Sequence, residues 1–357
     1  MDMETLTRST APVPSVRDVT RPIVIAHRGA PGHLPEHTLE SYRLAIALGA
    51  DYVEPDLVST GDGVLVARHE NEISATTDVA DHPELRDRRT TKSVDGRLVT
   101  GWFTEDLTLA ELKTLRARER MPLVRPANTA YDGHFEVPTL DEVLALVRRE
   151  SRARGRQVGV YPETKHPSHF AALGLTLEPP LLEALARHGL DGPDSLVFLQ
   201  SFEVANLRWL RSRTDLPLIQ LVDHDGAPFD LRQAGDPRDH AHLITPSGLA
   251  EVAGYADGIG AHKDLVLPRD RAGRTRFPSG LVPRAHDAGL LVHVWTLRNE
   301  KQYMAANFRA APHPDAAGDP AAEVRAFLDA GVDGFFTDQA DTGVSARNDW
   351  LTLEAAS

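Results

Sequence analysis

The chain has 357 residues, a formal charge of −13 and no cysteine, which excludes disulfides, thiolate catalysis and cysteine metal sites. No run of about 18 apolar residues occurs, so nothing predicts a membrane-spanning helix. The negative charge also argues against a nucleic-acid binder, which usually carries a basic patch.

The first 21 residues lack the apolar core of a secretory signal, and we expect a disordered leader there. As it stands, the sequence predicts a cytoplasmic protein; the protein would be exported if a signal had been removed. Residues 22–345 are expected to form one domain and 346–357 a C-terminal tail.

Apolar, strand-like runs alternate with helix-period segments along that domain. Predicted strands cover residues 23–27, 52–57, 157–163, 195–200, 216–222, 257–261, 290–296 and 332–338. Predicted helices cover residues 38–48, 141–150, 181–190, 203–213, 247–255, 280–289 and 321–331. This alternation predicts parallel strands with crossover helices, and the eight strands favour an α/β fold of the (β/α)₈ TIM-barrel type. A doubly wound open sheet is the alternative.

Two segments interrupt the alternation. Residues 70–137 follow the second strand and are too long for a plain connection, so they are expected to be an insertion with some structure of its own. Residues 301–320 form a loop rich in proline and alanine in this prediction.

Polar residues gather where the predicted strands end, which is where a (β/α)₈ barrel has its active site. Glu54 and Asp56 follow the i, i+2 spacing that points both side chains to one face of a strand, and Glu163 ends the next strand. Three converging carboxylates would repel one another, and a hard divalent cation, Ca²⁺ or Mg²⁺, removes that repulsion. The sequence therefore predicts a metal site formed by these three residues.

Two histidines are candidates for general acid and general base. His27 ends the first strand, and His69 follows the apolar segment "VLVAR", which would bring it opposite His27 if that segment turns back over the barrel mouth. Arg28 and Lys165 supply positive charge for phosphate oxygens. Gln200 and Trp295 are further candidates for substrate contacts, and Phe202 is expected either to contact substrate or to belong to the core. The remaining loop histidines are interpreted as solvated or loop-stabilising: His33, His37, His82, His134, His166, His169, His224, His240 and His242.

The segment "IAHRGAPGHLPEHTLESYRLAIALGADYVEPDLVSTGDGVLVARHE" resembles the opening signature of the glycerophosphodiester phosphodiesterase family. The blocks "GVYPETK", "FLQSFE", "YADGIG", "LVHVWTLRN" and "GVDGFFTDQAD" are similar to later blocks of that family, in the same order. The long insertion and the "YPETK" block look most like the bacterial periplasmic branch, which uses calcium.

The resemblance implies a metal-dependent barrel enzyme. Such an enzyme hydrolyses glycerophosphodiesters, for example glycerophosphocholine or glycerophosphoethanolamine, to sn-glycerol 3-phosphate and an alcohol. It also implies one divalent cation, Ca²⁺ with Mg²⁺ as the alternative, and a small-molecule substrate without nucleic acid or membrane insertion; the oligomeric state is left open. The family's positions map as metal ligands Glu54, Asp56 and Glu163, acid–base residues His27 and His69, and phosphate-binding residues Arg28 and Lys165.

The sequence departs from the family pattern at three places. The fourth-strand block ends in Ser201-Phe202, Ala-His-Lys stands at 261–263 where a proline or an acidic residue is expected, and Glu70 replaces the usual aspartate.

Two alternative functions are kept. One is another metal-assisted barrel phosphodiesterase, similar to a sphingomyelinase D or a lysophospholipase D; the other is a catalytically silent barrel that binds glycerophosphodiesters.

Overall fold

The computed structural model describes residues 21–192, 194–309 and 318–356. The expected leader therefore lies outside the described residues except for its last residue. The strands are β1 (Ile23–His27), β2 (Tyr52–Glu54), β3 (Asp56–Ser59), β4 (Leu65–Ala67), β5 (Thr90–Val94), β6 (Arg97–Gly101), β7 (Gly159–Val160), β8 (Glu163–Thr164), β9 (Leu199–Ser201), β10 (Leu218–Val222), β11 (Gly258–His262), β12 (Leu291–Leu297) and β13 (Gly334–Thr337).

The helices alternate with these strands along most of the described chain. They are α1 (Leu39–Ala47), α2 (Leu109–Leu112), α3 (Leu140–Arg154), α4 (Pro167–Ala172), α5 (Glu178–Arg187), α6 (Val204–Arg211), α7 (Phe229–Gln233), α8 (His240–Leu243), α9 (Pro246–Val252), α10 (Lys263–Val266), α11 (Leu281–Asp287), α12 (Ala306–Arg309), α13 (Pro320–Asp329) and α14 (Ala340–Glu354). Short 3₁₀ helices span Val79–Asp81, Pro83–Arg88, Thr104–Asp106, Pro126–Tyr131 and Lys301–Tyr303.

Eight parallel strands close into a ring. The second barrel strand is divided into β2 and β3 at Pro55, and the third into β7 and β8 at Tyr161-Pro162, because proline has no N–H to donate to a ladder. β1 pairs with β2 and with β13, while β2–β7 and β3–β8 join the second and third strands. The other neighbours pair in order from β8 to β13. The (β/α)₈ barrel is confirmed, and the open doubly wound sheet is excluded because the ring closes.

Strand alternation divides the barrel residues into two hydrophobic groups. One group fills the barrel interior and consists of Ile25, Tyr52, Tyr161, Phe198, Ile219 and Phe336. The larger group, which includes Val24 and Ala26, packs between the strands and the surrounding helices. Helix α1 begins as predicted, because the Thr38 hydroxyl accepts a hydrogen bond from the backbone N–H of Ser41.

The segment after the second strand has structure of its own. β4 pairs antiparallel with β3, so the chain turns back along the second barrel strand and brings His69 towards the barrel mouth. β5 and β6 form an antiparallel hairpin whose turn residues, Asp95 and Gly96, both have positive φ, the geometry that a tight type I′ turn requires. The Asp95 carboxylate lies 2.6 Å from Nδ1 of His166, which anchors the hairpin tip to the barrel mouth.

Two predictions, for the C-terminal tail and for the loop at 301–320, differ from the observed secondary structure. Residues 346–354 belong to α14, so most of the segment expected to be a tail is helical. Residues 306–309 of the expected proline- and alanine-rich loop form α12, whereas 310–317 lie outside the described residues. None of the helices in the described ranges combines the length and the apolar composition that crossing a membrane requires.

Candidate active site

A cavity of about 820 Å³ opens at the carboxyl ends of the barrel strands. Eight of the nine predicted site residues line it: His27, Arg28, Glu54, His69, Glu163, Lys165, Gln200 and Trp295. The ninth, Asp56, is almost completely buried and belongs to the same cluster as Glu54 and Glu163. The structure therefore brings together all the residues that the sequence predicts for the site.

A single register rule positions four of these side chains, together with Asp338. Because side chains alternate along a strand, the residue two positions after an inward-pointing core residue points into the cavity above the core. The core residue and the polar residue that follows it are Ile25 and His27, Tyr52 and Glu54, Tyr161 and Glu163, Phe198 and Gln200, and Phe336 and Asp338.

Three buried carboxylates form an acidic cluster at the base of the cavity. Glu54, Asp56 and Glu163 each offer an oxygen within 4.8 Å of the others. Oδ1 of Asp56 is buried without a hydrogen-bond partner among the described residues. Such an atom is costly unless something else pairs with it. A hard divalent cation with oxygen ligands fits this donor set.

The charges of the cluster are strongly coupled. Burial, together with the negative charge of Asp56, raises the pKa of Glu54 well above its usual value. Burial likewise raises the pKa of Glu163 to about 8, against the opposing charge of Lys165. For Asp56, burial is outweighed by Lys165, His69 and Arg28, which hold its pKa well below the usual value. The protein alone thus favours protonated glutamates, which a bound cation would deprotonate.

His27 is paired with a carboxylate from the neighbouring strand end. Its Nδ1 lies 2.6 Å from Oδ1 of Asp338, and the other oxygen of Asp338 accepts hydrogen bonds from Arg125 and Arg298. Burial, and then the charge of Arg28, lowers the pKa of His27 to about 4. The Nδ1 contact leaves Nε2 as the ring nitrogen available for proton transfer.

His69 is paired with a carboxylate in a similar way. Its Nδ1 lies 2.6 Å from Oε1 of Glu70, and Arg120 binds both oxygens of that carboxylate at 3.0 and 2.7 Å. Arg120 also binds both oxygens of the buried Glu36, which contacts Arg28. Burial, followed by the charges of Arg28 and Lys165, lowers the pKa of His69 to about 3. Glu70 therefore makes the contact that orients His69.

Two basic side chains lie beside the acidic cluster. Arg28 adopts a left-handed backbone conformation with φ 57°; its backbone N–H donates to Oε2 of Glu54 at 2.8 Å, and its Nε lies 3.1 Å from Oδ2 of Asp56. Nζ of Lys165 donates to Glu163 at 2.7 Å and lies 5.6 Å from the centre of the Phe202 ring. The Arg28 and Lys165 side chains both line the cavity, so an anionic group of a ligand bound there could contact both of them.

His37 departs from its sequence interpretation. It is completely buried rather than solvated, with Nε2 2.9 Å from Oδ2 of Asp56 and Nδ1 2.6 Å from the hydroxyl of Tyr42. It therefore orients one predicted metal ligand from behind, as hydrogen-bonding partners of metal ligands commonly do. Its position in the loop after β1 gave no signal of this role.

The aromatic and amide candidates have distinct positions. Nε1 of Trp295 donates to the carbonyl of Gly260 at 2.8 Å, and the Trp295 ring meets Phe202 edge-on at 5.8 Å, so both rings form cavity wall. Nε2 of Gln200 donates to Glu54 at 3.3 Å. His293, on the same strand as Trp295, is instead buried in the barrel interior, where it lies 2.7 Å from the hydroxyl of Tyr161.

Sequence reasoning missed the residues that hold the two histidines. Asp338 ends the last predicted strand, and the strand-end rule that selected His27 would have selected it too. Glu36, Arg120 and Arg125 gave no comparable signal, because they lie in loops whose path only the folded chain defines.

The barrel thus brings two histidine–carboxylate pairs and an acidic cluster that could hold a divalent cation into one cavity. The sequence pattern of the glycerophosphoryl diester phosphodiesterase family matches residues 27–342. The chain therefore belongs to this family and is a phosphodiesterase of that family.

Individual relatives align with this chain over most of its length. Glycerophosphodiester phosphodiesterase GDPD6 of Arabidopsis thaliana is 37% identical over 332 residues, which are 89% of this chain and 84% of the relative. The glycerophosphodiester phosphodiesterase of Haemophilus influenzae is 30% identical over 348 residues, 90% of this chain and 88% of the relative. An Oleispira antarctica phosphodiesterase, solved in complex with the product sn-glycerol-3-phosphate, superposes with a TM-score of 0.62 at 20% identity and covers 93% of this chain and 99% of that structure. This last similarity is one of fold.

Proposed function

We propose that the protein hydrolyses glycerophosphodiesters, with glycerophosphocholine and glycerophosphoethanolamine as representative substrates, to sn-glycerol 3-phosphate and an alcohol. The main support is the geometry of one cavity, which contains two histidines with available Nε2 atoms and an acidic cluster flanked by Arg28 and Lys165. The names of the relatives and the product bound in the Oleispira antarctica enzyme point to the same substrate class.

Each basic group acts on the phosphate of the substrate. Arg28 and Lys165 bind its oxygens and neutralise the charge that builds up as the new bond to phosphorus forms. Both side chains are already held beside the carboxylates by ion pairs, so little reorganisation accompanies substrate binding. The wall formed by Trp295 and Phe202 excludes water from one side of the bound diester.

The two histidines divide the proton transfers. One, as a neutral imidazole, takes a proton from the nucleophile, which is water or the substrate's own glycerol 2-hydroxyl, and the other, as an imidazolium, gives a proton to the departing alkoxide. Attack by the 2-hydroxyl gives a cyclic glycerol phosphate, which water then opens to sn-glycerol 3-phosphate. The bond from phosphorus to the alcohol oxygen breaks as the bond from phosphorus to the nucleophile forms. The carboxylates of Asp338 and Glu70 hold the Nδ1 side of each ring, so proton exchange occurs at Nε2.

Glu54, Asp56 and Glu163 would hold one divalent cation, and we assign Ca²⁺ to that site. The cation would supply Lewis-acid stabilisation of a phosphoryl oxygen. The unpartnered Oδ1 of Asp56 and the all-oxygen donor set support a hard cation.

A direct assay tests this function. The protein is stripped with a chelator, glycerophosphocholine is added, and release of sn-glycerol 3-phosphate is measured after adding back Ca²⁺ or Mg²⁺. We expect release with Ca²⁺, and little release from Glu163→Gln under the same conditions. His242→Ala is the control, because His242 pairs with Glu251 outside the cavity. No release with any divalent cation or any glycerophosphodiester would contradict the proposal, and faster turnover of sphingomyelin or lysophosphatidylcholine would favour the alternative phosphodiesterases.

A further inference from the structure

A second group of metal-ligating side chains lies at the rim of the same cavity. Asp223, His224 and His262 each offer a ligand atom within 4.8 Å of the others. Strands β10 and β11 bring them together: Val222 pairs with Ala261, so the next residues along the two strands, Asp223 and His262, are neighbours. Both line the cavity, at the mouth of the barrel rather than among the three buried carboxylates.

The ring of His262 is held in one orientation. Its Nδ1 accepts a hydrogen bond from the backbone N–H of Asp264 at the start of α10, which leaves Nε2 available as a ligand. The ring meets Trp295 edge-on at 4.9 Å between centres. The neutral form of an imidazole is the one that binds a metal.

The ring of His224 also packs against the ring of His262. Their centres are 4.6 Å apart, and Nδ1 of His224 lies 2.7 Å from Oδ1 of Asp223. The carboxylate of Asp223 and Nδ1 of His224 therefore face each other, so one cation bound beside them could contact both. The side chain of Asp225 lies 3.9 Å from the other ring nitrogen, Nε2 of His224.

We propose that Asp223, His224 and His262 bind a borderline divalent cation of the Zn²⁺ type. Two imidazoles and one carboxylate form a donor set that such ions prefer, whereas the deeper cluster offers only oxygen. Three protein ligands leave a coordination position open, as in zinc sites that bind water or an anionic oxygen from a ligand.

Metal content measured under competition tests the proposal. The whole protein is dialysed against Zn²⁺ in a large excess of Ca²⁺, which keeps the carboxylate cluster occupied by calcium, and zinc per chain is counted by mass spectrometry. We expect one zinc per chain in the wild-type protein and also in Glu163→Gln. With Co²⁺ in place of Zn²⁺ we expect visible absorption bands from imidazole coordination.

Two variants and a control separate this site from incidental zinc binding. His262→Asn keeps a side-chain acceptor for the Asp264 N–H but loses Nε2, and Asp223→Asn removes the carboxylate charge. We expect each to weaken zinc binding by more than about 100-fold, because the loss of a partner that only orients a ligand already costs about 10–100-fold. His242→Ala, which removes a partly exposed histidine paired with Glu251, should bind zinc like the wild type. Equal zinc content in all four proteins, or none in the wild type under calcium, would overturn the proposal, and unchanged thermal unfolding shows that each variant is folded.

Discussion

The two histidine–carboxylate pairs of the cavity reach the same local geometry from different parts of the chain. In the first pair, the side chains of His27 and Asp338 are only 11% and 2% exposed and come from adjacent barrel strands. In the second pair, His69 and Glu70 are consecutive residues, 29% and 37% exposed, at the start of the insertion. Both place a carboxylate oxygen 2.6 Å from Nδ1. The comparison shows that two buried strand ends and a partly exposed loop can orient histidine rings in the same way.

The insertion supports both pairs. Arg120 binds Glu70, and Arg125 binds Asp338 at 2.6 Å and the carbonyl of Pro31 at 2.8 Å. Both arginines belong to the segment between the second and third barrel strands, so one insertion reaches across the cavity mouth to each histidine. The segment is therefore a structural part of the site rather than an appendage.

The largest expected effect comes from removing either ring. His27→Ala and His69→Ala should each lower kcat by about 10²–10⁴-fold, the range for loss of a general acid or base. Steady-state kinetics with glycerophosphocholine measure this, with His242→Ala as the matched control. Full activity in either variant would remove that histidine from the mechanism and leave a single acid–base group.

The two carboxylates should differ in their effect on stability. Asp338→Asn removes the buried carboxylate that Arg125 and Arg298 share and should lower the free energy of unfolding by about 3–5 kcal/mol, the usual cost of breaking a buried pair. Glu70→Gln breaks a more exposed pair and should cost about 1 kcal/mol or less. Urea unfolding of both variants measures the difference, and equal losses would show that burial does not distinguish the pairs.

The affinity for a divalent cation should increase as the pH rises. In the metal-free protein the pKa of Glu163 is raised to about 8, so below that pH a cation must displace a proton to bind. Calcium affinity should therefore rise about tenfold per pH unit, for each proton released, as the pH rises from 6 to 8. The pKa of Glu163 is higher in the folded protein than in the unfolded chain. The metal-free protein should therefore lose stability as the pH rises from the pKa of Glu163 in the unfolded chain towards 8. Titration calorimetry at several pH values checks this, and a flat profile would place Glu163 outside the cation site.

The smallest predicted effect concerns Arg120, which binds the carboxylate paired with His69. Arg120→Lys keeps the charge but loses the planar fork that binds Glu36 and Glu70 together. We expect a loss of about 0.5–1 kcal/mol in stability, because this pair is partly exposed, and a greater fall in kcat than in 1/KM. Substrate kinetics and thermal unfolding of the same preparation measure both, and unchanged kcat would show that His69 does not depend on this arginine.

Much of the site could be predicted because it follows strand periodicity. Glu54, Glu163 and His27 lie at the ends of apolar runs, where side-chain alternation and the barrel rule fix the direction in which they point. The same rule would have found Asp338. It could not find His37, because that residue contacts Asp56 through a loop conformation that no periodic pattern encodes.

The sequence by itself determined the alternation of strands and helices, the family and the carboxylates and histidines at the strand ends, because these depend on local periodicity and residue type. The tertiary structure decided which charges meet. Arg120 and Arg125 lie in an aperiodic insertion, and their partners Glu70, Glu36 and Asp338 are defined only once that segment folds over the barrel mouth. Likewise, Asp223 and His262 become neighbours through the pairing of β10 with β11, a register that neither strand specifies alone.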